Sequence, residues 1–172
     1  MSQNVLISQQ DMNRTIARLS YSVVEKLPLQ NLVLLGIHTG GAVLAKRIAG
    51  FLKQNKGIEI PVGVLDITSF RDDLHTKEDY QDKTKIDFDV EDKNLVLVDD
   101  VLYTGRTVRA ALNAINTLGR PKTISLMVLV DRGHRELPIK PDFVGKNIPT
   151  NSEQKVNVRF EETDGYDGVE IL

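Results

Sequence analysis

Two adjacent carboxylates followed at once by a loop of hydroxyls and glycine are the residues best suited to do chemistry. Residues 96–107 read Val96, Leu97, Val98, Asp99, Asp100, Val101, Leu102, Tyr103, Thr104, Gly105, Arg106 and Thr107. The apolar start reads as a buried strand. Helical periodicity from Thr107 onward puts the loop where a helix begins. Backbone N–H groups at a helix N-terminus bind phosphate, helped by the helix dipole. Gly105 lets the backbone approach an anion closely, and the Thr104 and Thr107 hydroxyls add hydrogen bonds. Carboxylates beside a phosphate loop repel its ligand. They make sense there if they hold sugar hydroxyls, or a hydrated magnesium ion, next to the phosphate. A phosphorylated ribose meets both demands. The plainer alternative, a strand end with two solvated acids and an ordinary helix cap, leaves their juxtaposition without a reason.

Other elements must position that run. Ser8 and Asp11 resemble a capping box. Met12, Ile16, Leu19, Val23 and Leu27 then recur at helical spacing until Pro28. Residues 32–37 form a continuous apolar run, the pattern of a strand buried on both faces. Gly40 and Gly41 turn the chain into a helix over 42–52, which Gly57 breaks. Residues 60–67, 95–98 and 124–130 are further strands, and 107–118 is a helix stopped by Gly119 and Pro121. Residues 69–89 are dense in charge and lack periodicity, as a functional loop would be. The tail from Pro138 has short extended pieces and little helix. Alternating strands and helices predict an α/β fold with a central parallel sheet flanked by helices. Ligands bind such sheets at the carboxyl ends of the strands, here just after Ile37, Leu65, Val98 and Val130.

The 172 residues suit one domain, 1–172, and 41% hydrophobic content supports a real core. There is no cysteine, so disulfides and thiolate metal sites are excluded. Met1, Ser2, Gln3 and Asn4 lack the layout of a signal peptide, and no apolar run is long enough to span a bilayer. The expectation is a soluble cytoplasmic protein. A net charge of −2 gives no general attraction to nucleic acid, so RNA binding needs a local basic patch.

Residues 96–107 resemble, nearly residue for residue, the phosphoribosyl pyrophosphate (PRPP) signature of type I phosphoribosyltransferases. That resemblance implies that Asp99 and Asp100 contact the ribose hydroxyls and that Tyr103, Thr104, Gly105, Arg106 and Thr107, with Val101 and Leu102 leading in, bind the 5′-phosphate. His38, Thr39, Gly40 and Gly41 take the place of the family's pyrophosphate loop. Three further stretches are similar to the pyrimidine-operon regulator (PyrR) branch. These are 66–74, from Asp66 through Arg71 to Leu74; 131–138, from Asp131 and Arg132 to Pro138; and 145–150. The match runs from about residue 11 to 157.

For the fold, this branch implies a small hood, with residues 138–172 contributing, and a mobile loop over the site. For activity it implies joining uracil to PRPP to give UMP and pyrophosphate. Mg²⁺ is bound mainly through PRPP and lies near Asp131, with no direct protein ligand assigned. Arg71 reaches the pyrophosphate and counts with the two acids as catalytic, and Asp131 and Arg132 join the nucleotide site. The branch also implies a homo-oligomer and a second activity, UMP/UTP-responsive attenuation through a pyrimidine mRNA leader. The chain departs from many relatives in carrying His38 for lysine and Gly40 for arginine, which removes two positive charges beside the pyrophosphate. On sequence alone, Gly40→Arg is expected to raise PRPP affinity or leave activity intact. His38 reads as a neutral imidazole hydrogen-bonded to neighbouring loop backbone rather than as a general base.

Arg14, Arg18, Tyr21 and Glu25 line one face of the first helix, and Arg135, Lys140 and Lys146 add charge from the tail. Together they are the candidate RNA surface. Relatives that bind RNA have threonine and histidine at Ala17 and Tyr21, and a plain solvated face fits the helix equally well. Two rivals to the bifunctional enzyme stay open: an RNA-binding attenuator that senses nucleotides with little catalysis, and a transferase acting on a purine base.

Overall fold

The computed structural model describes residues 4–72 and 79–172. The chain opens with a short strand, β1 (Asn4–Ile7), and a helix, α1 (Gln9–Lys26). The Ser8 hydroxyl caps α1, accepting from the Asp11 backbone N–H at 3.2 Å and donating to its carboxylate at 3.0 Å, as the 8–11 spacing predicts. Then come β2 (Leu32–Ile37), α2 (Gly40–Lys56), β3 (Val62–Leu65) and a single 3₁₀ turn (Thr68–Phe70). After the polar loop follow β4 (Asn94–Leu102), α3 (Arg106–Leu118) and β5 (Thr123–Asp131). The tail supplies β6 (Phe143–Asn147), β7 (Val156–Arg159), a one-turn α4 (Glu161–Asp164) and β8 (Gly168–Ile171).

Five strands form one parallel sheet in the order β3-β2-β4-β5-β6. Side chains alternate across it, as period 2 requires. Leu34, Val96, Val98, Met127 and Leu129 pack under α1 and α2 with Met12, Leu19, Leu44 and Ile48. Val33, Leu35, Leu95, Leu97 and Val128 pack under α3 with Val108, Ala111 and Ile115. Both faces are covered, which is why these strands read as unbroken apolar runs. This is the α/β fold the sequence predicts.

Three boundaries differ from the sequence reading. Strand β4 runs on through Leu102, so the acid pair lies within the strand and not beyond its end. Its pairing with β5 continues to Leu102 opposite Asp131, which holds the backbone extended. Helix α2 begins at Gly40, so both loop glycines belong to its first turn. In the tail, Phe143–Asn147 joins the main sheet beside β5, with Phe143 buried. The second, small sheet is antiparallel in the order β1-β8-β7 and takes in the N-terminal strand. Of the stretch 138–172, the part from residue 156 onward forms this sheet.

Arg47 fastens the small sheet to the main body. From α2 its guanidinium bonds Glu162 and Asp167 and lies 5.0 Å over the ring of Phe160, itself 1% exposed. Glu162 and Asp167, each held first by the bond to Arg47, sit below the usual carboxylate range.

Candidate active site

The carboxyl ends of β2 and β4, the turn after β3 and the start of α3 converge on two adjoining clefts. One, about 320 Å³, is lined by His38, Thr39, Gly40, Thr68, Arg71, Asp99, Asp100 and Thr107 among others. The other, about 100 Å³, lies against Tyr103, Thr104, Gly105 and Thr107 and shares Arg71 and Asp99 with the first. Asp99 is thus common to the two clefts, and Asp100 lines the larger, beside the two loops assigned to phosphates by resemblance.

The acids differ. Asp99 is 7% exposed, while Asp100 is half-buried. Asp99 Oδ1 accepts from the Asp100 N–H at 2.8 Å, and Asp100 Oδ1 accepts from the Val101 N–H at 2.8 Å. Burial, then the neighbouring Asp100 charge, push the Asp99 carboxyl well above its ordinary range, against a smaller pull from Arg71. Two carboxylates this close do not readily ionise together. The pair therefore offers a proton donor beside acceptors, which suits two neighbouring hydroxyls.

Close packing sets the 38–41 loop against the acids. A Cβ on Gly40 would stand 2.7 Å from Asp100 Cγ. A side chain at 40 therefore requires the Asp100 side chain to turn, in Gly40→Arg as in any other substitution there. Gly40→Ala, which adds the clash without a charge, is expected to raise the KM for PRPP about tenfold, in proportion to one charge-assisted hydrogen bond. Steady-state kinetics at varied PRPP checks it. The His38 ring meets a side chain rather than the loop backbone expected from sequence, lying 3.0 Å from the Thr39 hydroxyl.

At the other loop Gly105 has φ 95° and caps α3. That left-handed conformation is one only glycine adopts without strain. The Thr104 carbonyl accepts from the Glu136 and Leu137 N–H groups, and the Thr104 hydroxyl accepts from the Arg106 N–H at 3.3 Å. The Arg106 side chain points away from the cleft, to Glu136 at 3.0 Å and Asp72 at 3.3 Å. Its part in the phosphate loop is the backbone.

Arg71 enters from the polar loop and donates to Thr107 Oγ1 at 3.2 Å. Asp66, missed in the sequence as a functional residue, anchors both ends of that loop. Its buried carboxylate accepts from Thr68, the Lys83 N–H and the Tyr80 hydroxyl, and its own N–H donates to Thr84. Burial pushes this carboxyl up, but the bonds from Thr68 and Lys83 outweigh it and hold it below the usual range. In the sequence Asp66 stands only as the first residue of the 66–74 stretch, because its partners lie up to 18 residues away. Asp73 and Leu74 of the predicted loop lie outside the described residues.

Around β5 the structure reassigns several basic residues. Asp131 accepts from the Gly133 N–H at 3.0 Å and from Arg135 at 2.5 Å. Burial raises its carboxyl, yet Arg135 and Gly133 together bring it below the ordinary range. Arg135 also bonds the carbonyls of Tyr103 and Ile139, so this candidate RNA contact is engaged within the fold. Arg132, read as a nucleotide contact, is 7% exposed and donates to Thr150, Asn151 and Gln154. It lies 4.0 Å from the Tyr103 ring centre and so backs that ring. His134 donates to the Thr150 carbonyl.

Arg14, Arg18 and Lys146 do meet, with Asp11 and Thr15, around a separate groove of about 320 Å³. Arg18 donates to the carbonyls of Val144 and Gly145 there. Lys140, exposed before β6, is not among the groove's lining residues. No helix among the described residues is long and apolar enough to cross a membrane. Among those residues no cluster of three or more histidines and carboxylates forms a ready metal site.

Comparison with known proteins agrees with this geometry. The phosphoribosyl transferase domain family matches residues 2–163. A bifunctional protein PyrR of Picosynechococcus sp. is 54% identical over 169 residues, covering 97% of this chain and 96% of that protein. The bifunctional protein PyrR of Thermus aquaticus is 54% identical over 170 residues, covering 96% and 93%. Among solved structures, the hypoxanthine phosphoribosyltransferase of Trypanosoma cruzi superposes with a TM-score of 0.72 at 16% identity, over 99% of this chain and 97% of that one. At that identity the likeness speaks for the fold, a type I phosphoribosyltransferase fold. A matched family model over most of the sequence, full-length relatives at about half identity, and an acid pair set between two anion loops agree: this chain belongs to the phosphoribosyltransferase family, in its PyrR branch.

Proposed function

We propose that the chain transfers the phosphoribosyl group of PRPP to N1 of uracil, giving UMP and pyrophosphate. The observation that carries this reading is the place of Asp99, shared by the cleft at Gly40 and the cleft at Thr104, with Asp100 beside it in the first. A ribose bearing one phosphate at C5′ and a diphosphate at C1′ has that layout. The Thr104 to Thr107 backbone and hydroxyls take the 5′-phosphate, helped by the α3 dipole. Asp99 and Asp100 take the 2′- and 3′-hydroxyls. The first N–H groups of α2, from Gly40 and Gly41, face the diphosphate.

The C1′–O bond breaks with its electron pair leaving on pyrophosphate, uracil N1 forms the new bond to C1′, and the N1 proton passes to the departing pyrophosphate or to solvent. The transition state gathers negative charge at the departing oxygen, where fixed N–H dipoles and Arg71 stabilise it. Holding both reactants in line supplies much of the remaining rate. Mg²⁺ suits the site as a passenger of the substrate. It keeps several waters and takes one or two carboxylates plus phosphate oxygens, and the Asp99–Asp100 pair supplies such carboxylates, whereas Asp131 is already neutralised by Arg135. When bound it neutralises charge on the diphosphate. Asp131 then serves the site by fixing the 131–135 turn.

The test is UMP formation from uracil and PRPP with Mg²⁺, with adenine, hypoxanthine and orotate as controls. Turnover with uracil alone supports the reading; turnover with a purine, or none, refutes it.

A second reading, binding of a pyrimidine mRNA leader under control of UMP or UTP, rests on the groove of Arg14, Arg18 and Lys146. Each phosphate contact contributes about −0.7 to the slope of log affinity against log salt for single strands. Replacing all three with alanine is expected to shallow that slope by about 2 units. Titration of leader RNA at several salt concentrations reads it, and an unchanged slope removes these residues from the interface.

A further inference from the structure

The chain leaving the 3₁₀ turn does more than pass the cleft. Arg71 donates to Thr107 Oγ1 at 3.2 Å, within the loop proposed for the 5′-phosphate. The next residue, Asp72, accepts from Arg106 at 3.3 Å and from Arg109, both on the first turn of α3. Arg106 is held from its other side by Glu136 at 3.0 Å. One carboxylate thus ties the start of the polar loop to the helix that begins the phosphate site.

The geometry points to Asp72 as a positioning residue for Arg71. By docking on Arg106 and Arg109 it fixes the backbone at residue 72, and so aims the Arg71 guanidinium at Thr107 and into the cleft with Asp99. The Arg71 backbone also closes the 3₁₀ turn, through bonds from Phe70 to Ile67 and from Arg71 to Thr68. An arginine has many rotamers, and holding it in one costs entropy that a fixed backbone reduces. Two arginines and a second acid make a network, which is where surface ion pairs do contribute. The side chains of Asp72 and Arg109 are 46% and 42% exposed, so the dock responds to salt. Asp72 itself touches no reacting atom in this arrangement.

This inference rests on the transferase reading for Arg71's target, and two readouts keep the two apart. In the uracil assay, Asp72→Asn is expected to lower kcat about tenfold, the scale of a small misplacement of a catalytic group, with little change in the KM for PRPP. Asp72→Glu restores most of it, and Arg109→Ala reproduces part of the loss. Raising salt to about 1 M, where screening acts over about 3 Å, lowers the wild-type kcat toward that of Asp72→Asn and leaves the variant flat. An unchanged kcat in Asp72→Asn, or the same salt response in both proteins, overturns the proposal. Independently of any turnover, trypsin cleavage after Arg71 in the ligand-free protein is expected to be several-fold faster in Asp72→Asn than in wild type. Equal cleavage rates mean there is no dock, whatever the enzyme does. Failure of wild type to make UMP, with the cleavage difference present, sinks the transferase reading and leaves the dock standing.

Discussion

Asp99→Asn with Asp100→Asn is expected to lower kcat/KM for PRPP by about 10² to 10⁴, since each hydrogen bond to a charged group is worth about 1.5–3 kcal/mol. The loss falls on PRPP and leaves the affinity for uracil largely intact, which kinetics with each substrate varied in turn will show. A double variant with wild-type rates refutes the ribose role. The fold is not expected to suffer. Asp99 has its carboxyl pushed upward by burial. A group whose folded-state pKa is raised stabilises the fold fully below its unfolded value, and that contribution is lost as pH rises through the folded value. At neutral pH the buried carboxyl is thus a liability that asparagine does not carry. The single variant Asp99→Asn should melt at or above wild type at pH 7–8, the two converging near pH 4. Melting curves across that range check the sign, and a variant less stable at pH 8 than at pH 4, relative to wild type, contradicts it.

Gly41→Ala should be nearly as damaging for a different reason. A Cβ there would lie 3.0 Å from the Asp99 Cα and the Val98 carbonyl carbon, and closer still to the Val98 oxygen. These are backbone atoms of the central strand, and a close-packed interior does not yield. The start of α2 must lift, taking the N–H groups proposed for pyrophosphate with it. Overpacking of this kind costs about 1–3 kcal/mol, a drop of about 3–10 °C in Tm for a chain of this size. Activity should fall about 100-fold, as misplacing a reacting group by an ångström does. Gly50→Ala, in the same helix with open space around it, is the control, and is expected to keep activity and gain a few tenths of a kcal/mol from helix propensity. If the two alanines behave alike, close approach at residue 41 is not what the site needs.

What the sequence made legible and what it hid follow one line. The run 96–107 is contiguous, so its strand, acids, glycine and helix start could be read in order, and the structure places them on one wall. The 38–41 loop was legible because a buried strand ends where two glycines begin. The contact between Gly40 and Asp100 was not, because it joins residues 60 apart. Arg132 was read as a nucleotide contact and Arg135 as an RNA contact for want of visible partners. The fold supplies those partners from Asp131, Tyr103 and the segment 150–154. Arg14, Arg18 and Lys146, by contrast, come together as the two-segment argument expected. The hood was the least legible part. Its strands are four residues each and its first strand comes from the other end of the sequence, so neither length nor periodicity announces it.

That last pairing carries a consequence for how the protein is made. Val5 meets Glu170 and Ile7 meets Val169, so the small sheet waits for nearly the whole chain to leave the ribosome. Contacts of such long sequence separation are slow to close, while the sheet carrying both anion loops needs only the residues up to β6. A chain interrupted near residue 150 is therefore expected to hold the main sheet, with the 38–41 and 103–107 loops, before the small sheet can form.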